Sequence, residues 1–327
     1  MDDRRIIPLV KNPTMIKNFL KLIRWPNLLV VAITMGFMLV FLIHPLLGTP
    51  VFKSGLTLLE FIMLTASVLL ITMGGYIVND LSDVNPDSVN KPGKNLIGEN
   101  FSTSTATQLY WITTLAGLAL GTLFSYHLKQ INYSLIFVFT AGLLWFYSSK
   151  YKCQPLVGNM VVAILSSLSF VLVWLFSFFA LSNQAQVFTA TQSAFPLLTR
   201  IVFIYAAFAF LVTLFREIVK DLEDFSGDYR FGCRTLPVAY GTGVAKVAAL
   251  ITGYLTVAGM TWAGWFFFKS GHQWLAGWFV LMVLALLAMQ LKLHQADEKE
   301  DFSKLSLYSK LLMIMGILSM VIFYLEI

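Results

Sequence analysis

Charge is scarce in this sequence. Lys, Arg, Asp and Glu make up 12% of its 327 residues, against about 25% in a soluble domain. Most of the chain therefore cannot face water. Cysteine is scarcer still, with only Cys153 and Cys233, which excludes a disulfide-rich scaffold and a cysteine-based zinc site. The four histidines, His44, His127, His272 and His294, stand at run ends or in loops without metal-ligand spacing. No stretch alternates polar with apolar residues, which excludes barrel strands. The charged opening, Met1–Pro13, precedes an apolar run too long for a signal peptide and lacking a small-residue cleavage site.

What is abundant is apolar sequence, 57% of the chain. Runs of about 17–25 apolar residues mark membrane-spanning helices. Nine are present, roughly Asn27–Ile43, Leu58–Val78, Leu109–Tyr126, Ile131–Phe146, Met160–Leu181, Leu197–Phe215, Val244–Phe268, Trp274–Leu291 and Leu307–Leu325. In lipid each backbone amide must bond within its own segment. The expected fold is an all-α membrane protein, one domain over 1–327, with nine transmembrane helices in a bundle. Residues 1–26 form a cytoplasmic segment. Within it, Met15, Ile16, Phe19, Leu20 and Ile23 share one helical face, the pattern of an interfacial helix.

Orientation follows the lysines and arginines. With the N-terminus inside, 19 of the 23 cations fall on one side, and only Lys53, Lys129, Arg200 and Lys269 fall on the other. The expected location is the cytoplasmic (inner) membrane, with the cation-rich loops in the cytoplasm. The net charge of +6 then reflects topology and contact with membrane lipids, not nucleic acid. Cys153 and Cys233 lie on this reducing side, so both are expected to be free bystanders.

The acids are unevenly spread. Of 17, nine sit in two loops of the cation-rich side. Asp80, Asp83 and Asp87 follow a D-x-x-D-x-x-x-D pattern, and Asp221, Asp224 and Asp228 repeat it 141 positions later. Four spans separate the copies, which reads as a duplicated four-helix unit with helical caps on the cytoplasmic side. Positions i, i+3 and i+7 share a helix face, so each motif is expected to present one acidic stripe. Such a stripe repels itself unless a cation joins it. Hard carboxylate oxygens suit Mg2+, which is held by one or two carboxylates together with substrate phosphates. Candidate diphosphate partners flank the motifs: Lys91 and Lys94, Arg216 and Lys220, Arg230 and Arg234, and Tyr147, Lys150 and Lys152.

Asn79-Asp80-x-x-Asp83-x-x-x-Asp87 and Asp221-x-x-Asp224-x-x-x-Asp228, on nine spans opened by Arg24-Trp25-Pro26-Asn27, resemble the UbiA-type intramembrane prenyltransferases. The resemblance implies that Asp83, Asp87, Asp224 and Asp228 hold Mg2+ and are catalytic. It further implies that Asn79 and Asp221 join them at the metal and diphosphate, and that Asn27, Tyr147 and Lys152 line the cavity or the diphosphate; Lys91, Arg216 and Lys220 are taken as diphosphate contacts from their place beside the motifs. The implied reaction starts with loss of diphosphate from an allylic prenyl diphosphate donor, and an acceptor then captures the cation. The stretches Asp87-Ser88-Val89-Asn90-Lys91-Pro92 and Lys220 to Pro237 resemble geranylgeranylglycerol-phosphate geranylgeranyltransferases, which implies a lipid-like acceptor in ether lipid synthesis. Lys91, Lys94 and Asn95 depart from that pattern, and lysine does not replace arginine at a bidentate phosphate site. A hydroxylated aromatic acceptor, as in quinone biosynthesis, is the alternative. A transporter is the alternative of another class, but the span centres carry no ionisable residue, as an ion path would.

Overall fold

The computed structural model describes residues 13–84 and 96–327; Asp87, Lys91 and Lys94 lie outside them. Among the described residues there is no β-strand and there are ten principal helices. These are α1 (Pro13–Leu22), α2 (Trp25–Leu47, with a π-helical turn at Met38–Ile43), α3 (Leu58–Ser82), α4 (Thr103–His127) and α5 (Ser134–Ser149). They continue as α6 (Val157–Ser182), α7 (Phe195–Glu223), α8 (Thr242–Lys269), α9 (Gln273–Gln295) and α10 (Lys299–Leu325). Counting the short turns that lead into α5 and α7, α2 to α10 give nine segments long and apolar enough to cross a bilayer.

The helices outrun the apolar runs. α4 begins at Thr103, not Leu109, and α7 continues past Phe215 to Glu223. Hydropathy registers the thickness of the lipid, whereas a helix ends where its backbone bonds stop. The extension matters, because it places Asp80 on the last turn of α3 and Asp221 on the last turn of α7.

α3 packs on α4 and α5, while α7 packs on α6, α8 and α10. α2 contacts α3, α6 and α10 and so joins the two groups. Phe124, Phe176, Phe215, Phe267 and Phe279 are fully buried between helices. Trp111, Leu135, Phe139, Trp265 and Trp274 instead project from the bundle, as a lipid-facing surface requires. Leu22 and Ile23, at the end of α1, are buried against Ile77 and Phe101, while Ile16 and Leu20 stay exposed.

Small residues bring α3 and α4 together. Ser67 Oγ donates to the carbonyl of Gly117 at 2.7 Å. A Cβ on Gly117 would stand 2.8 Å from Ile71 Cγ1 and 3.0 Å from the Ile71 backbone nitrogen. Gly117→Val is therefore expected to destabilise the bundle by about 1–3 kcal/mol, the cost of overpacking. A wild-type melting temperature for this variant in detergent would contradict the packing.

The cysteines are not bystanders. Cys153 and Cys233 form a disulfide with their Cα atoms 4.6 Å apart, which corrects the expectation of two free thiols. The sequence hides this pairing because 80 residues separate the two, and loops in different halves of the chain meet only once the bundle is assembled.

Candidate active site between the ends of α3 and α7

The acidic motifs do not form continuous stripes. α3 stops at Ser82 with Asp83 as its C-cap, and α7 stops at Glu223 with Asp224 in the same role. Asp228 lies on a separate short helix, Phe225–Arg230. Each break puts the second aspartate, Asp83 or Asp224, at a helix end, and the first turns sideways to a neighbouring span.

In both motifs that first aspartate is held by a residue at the start of another span. Arg24 Nη2 reaches Asp80 Oδ1 at 2.5 Å, and Asn159 Nδ2 donates to Asp221 Oδ2 at 2.9 Å. Arg24 is left-handed, at φ 51°, a conformation that costs a non-glycine residue energy and is held by its surroundings. Its guanidinium sits 5.1 Å from the Tyr76 ring centre, and the Asn27 side chain acts on the Tyr76 hydroxyl. Burial disfavours the Arg24 charge, but Asp80, Tyr76 and Asp83 outweigh it and hold the group above its usual pKa.

Asp83 is 6% exposed. It accepts a hydrogen bond from Asn79 Nδ2 at 2.8 Å and is ion-paired with Lys152 Nζ. Asn79 Oδ1 is buried with no hydrogen-bond partner. Such an orphaned acceptor is costly unless a ligand satisfies it.

Asp228 joins the same cluster from the other half. It is buried and accepts a hydrogen bond from Thr235 Oγ1 at 3.1 Å. Its carboxyl is pushed up to about 6, by burial first and then by Asp224 and Asp83, against the pull of Thr235 and Lys152. Lys152 thus acts on an aspartate from each motif. The disulfide lies beside both, since Cys153 follows Lys152 and the Cys233 N–H donates to the Asp228 carbonyl at 2.9 Å. Tyr147 faces Glu217, Asp83 and Asp221.

Arg216 pairs with its buried neighbour Glu217 and keeps an unpartnered Nε–H. Lys220 bears on Glu217 and Asp221. Arg230 and Arg234 are exposed. Asp87 and Lys91 fall outside the described residues. Sequence reasoning did not single out Arg24, Tyr76, Asn159 or Glu217 as site residues. Arg24 and Asn159 had one legible signal, a polar side chain opening an apolar run.

A metal ion has a fitting donor set here. Among the described residues no three His, Cys, Asp or Glu side chains already converge as a closed metal site. Mg2+ needs no such cage, since it keeps waters and binds through one or two carboxylates plus substrate phosphates. Asp83, Asp224, Asp228 and the orphaned Asn79 oxygen are hard oxygen donors of the right kind.

Residues 37–314 match the model of the UbiA prenyltransferase family. The chain belongs to that family. Among relatives of this UbiA-family member is a digeranylgeranylglyceryl phosphate synthase of Methanococcus aeolicus, 30% identical over 81% of this chain and 85% of its own length. A synthase of the same name from Sulfurisphaera tokodaii is 28% identical over 77% of this chain and 81% of its own length. A solved digeranylgeranylglyceryl phosphate synthase superposes with a TM-score of 0.65, at 24% identity, over 95% of this chain and 99% of that one. A UbiA homolog from Archaeoglobus fulgidus bound to GPP and Mg2+ gives a TM-score of 0.55, at 15% identity, over 93% of this chain and 99% of that one. These likenesses confirm the all-helical fold. The protein is a multi-pass membrane prenyltransferase.

Proposed function

We propose that this enzyme transfers a prenyl group from an allylic prenyl diphosphate to the hydroxyl of a prenylated glycerol phosphate, making an ether lipid in a Mg2+-dependent reaction. The observation that carries the reading is the convergence of Asp83 and Asp228, from opposite halves of the chain, on Lys152. The names of the relatives support the acceptor.

Asp83, Asp87, Asp224 and Asp228, with Asn79, are the residues that would hold Mg2+; when bound, the metal neutralises charge building on the departing diphosphate. Lys152 adds fixed positive charge for the same group. The allylic C–O bond breaks, and its electron pair leaves with the diphosphate. The acceptor oxygen then bonds to the allylic carbon and releases its proton. An alcohol is a weak nucleophile, so the carbocation must form well ahead of attack. The lipid-embedded bundle keeps water from quenching it.

The site faces the cytoplasm of the inner membrane in this reading, which the distribution of 19 cations against 4 supports. The Cys153–Cys233 bridge then lies on the reducing side, where such bonds are transient or redox-responsive. In a background lacking both native cysteines, a cysteine at Ser88 is expected to resist impermeant thiol reagents in intact cells, and one at Lys129 to react. Labelling at Ser88 from outside would reverse the orientation.

The functional test offers purified protein a labelled allylic diphosphate with each acceptor in turn. Transfer to the prenylated glycerol phosphate, with none to 4-hydroxybenzoate or a naphthoate, is expected. The converse result would replace the acceptor and leave the family intact.

A further inference from the structure

One cation of this region belongs to neither acidic motif. Lys310 stands on α10, the last span, and two contacts fix its depth. The Phe41 and Tyr324 rings are 5.4 Å apart where α2 and α10 run in parallel. Fourteen residues earlier on both helices stand Asn27 and Lys310, at nearly equal height, since an α-helix rises about 1.5 Å per residue and only the short π-helical turn of α2 departs from this. α7 runs the other way. Tyr205 Oη lies 2.9 Å from Ser319 Oγ, so nine residues along each chain toward the cytoplasm bring Leu214 level with Lys310, within a turn of Arg216.

The charges that bear on Lys310 are those of Arg216, Lys220, Arg24 and Glu217. Arg24 is taken by Asp80, and Arg216 by Glu217. Asp221, beside Lys220, is bonded to Asn159. Lys310 and Lys220 have no ion-pair partner among the described residues, and the Arg216 Nε–H is unpartnered as well. Arg24, Arg216, Lys220 and Lys310 thus face three carboxylates, Asp80, Glu217 and Asp221, so one cation is in excess. An excess of cations is unfavourable inside a membrane protein unless an anion joins them. Lys310 is exposed, and its helix neighbours Leu307, Leu311 and Ile314 are exposed apolar side chains. Any anion that reaches Lys310 from that side arrives with its tail in lipid.

We propose that Lys310 and Lys220, with the free Nε–H of Arg216, form a second anion subsite, separate from the Asp83–Lys152–Asp228 cluster, that takes the phosphate monoester of a lipid-tailed acceptor. The proposal rests on the acceptor reading above and adds where that phosphate is held. It moves Lys220 and the Arg216 Nε–H from the donor's diphosphate to the acceptor. It also sets aside the exposed Arg230 and Arg234 as holders of that phosphate. Lys310 recognises the acceptor by charge while the donor is ionised elsewhere, so it is a specificity residue and not a catalytic one.

The experiment compares wild type, Lys310→Gln and Lys310→Arg in vesicles made only of zwitterionic lipid. Geranylgeranylglycerol phosphate and its dephosphorylated alcohol serve as acceptors. Lys310→Gln is expected to raise KM for the phosphorylated acceptor about tenfold, as loss of a charged hydrogen bond does. KM for the allylic diphosphate should stay within twofold of wild type, and Lys310→Arg should recover most of the loss. The preference of wild type for the phosphorylated acceptor should collapse in Lys310→Gln. An equal rise in KM for both acceptors, or a rise for the donor, would overturn the subsite. An effect confined to vesicles containing anionic phospholipid would assign Lys310 to ordinary headgroups and overturn it too. If no transfer to either acceptor is seen, thermal shift with geranylgeranylglycerol phosphate keeps the two claims apart. Stabilisation of wild type but not of Lys310→Gln would uphold the subsite while the acceptor reading fails, and equal shifts would end both.

Discussion

Asp83→Ala and Asp228→Ala are each expected to lower prenyl transfer at least ~10²-fold, the usual cost of removing a group that stabilises transition-state charge, with expression and folding retained. Asp87→Ala and Asp224→Ala should do the same. The two aspartates with described partners differ in what they leave behind. Losing Asp83 strands Lys152 and Asn79, both of which it bonds. Losing Asp228 relieves a crowded carboxylate, so the variant should fold at least as well as wild type while failing in catalysis. Asp80 and Asp221 are engaged by Arg24 and Asn159, so Asp80→Asn and Asp221→Asn should be milder, or should act through position. Size-exclusion profiles and melting temperatures separate the two cases. Near-normal, magnesium-dependent turnover by Asp83→Ala and Asp228→Ala would remove these carboxylates from the mechanism.

Lys152→Ala should produce the second large effect, a loss of about 10²-fold or more in kcat/KM. Lys152 is the cation common to both halves, since it pairs with Asp83 and acts on Asp228 and Glu217. Lys152→Arg should recover only part of the activity, because a planar guanidinium does not reproduce a compact ammonium. Substrate binding by isothermal titration divides the loss between affinity and turnover. Wild-type kcat/KM in Lys152→Ala would show that the Asp83 pair is structural.

Much of this was legible in the sequence for a physical reason. Lipid imposes a run length on every span, so nine runs could be read directly. Repulsion among like charges makes a repeated acidic spacing conspicuous. Lys152 and Tyr147 stood out because they end an apolar run on the same side of the membrane as the acidic loops. What was not legible depends on distance in space. The Cys153–Cys233 pair and the Asn159–Asp221 bond join positions that no periodicity relates. The halt of α3 at Asp83 and of α7 at Asp224 is a backbone event, and the i, i+3, i+7 spacing gives no sign of it. Lys310 was visible only as the one charge inside the final apolar run. Its height against Asn27 and Arg216 needed the contacts of α10 with α2 and α7.

The most direct test follows diphosphate released by the purified enzyme from an allylic prenyl diphosphate, with and without Mg2+, in the presence of geranylgeranylglycerol phosphate. The expected result is Mg2+-dependent release matched mole for mole by ether product and lost in Asp83→Asn and Asp228→Asn. Release that ignores Mg2+, or that persists in both variants, would contradict the assignment of these two motifs to the diphosphate.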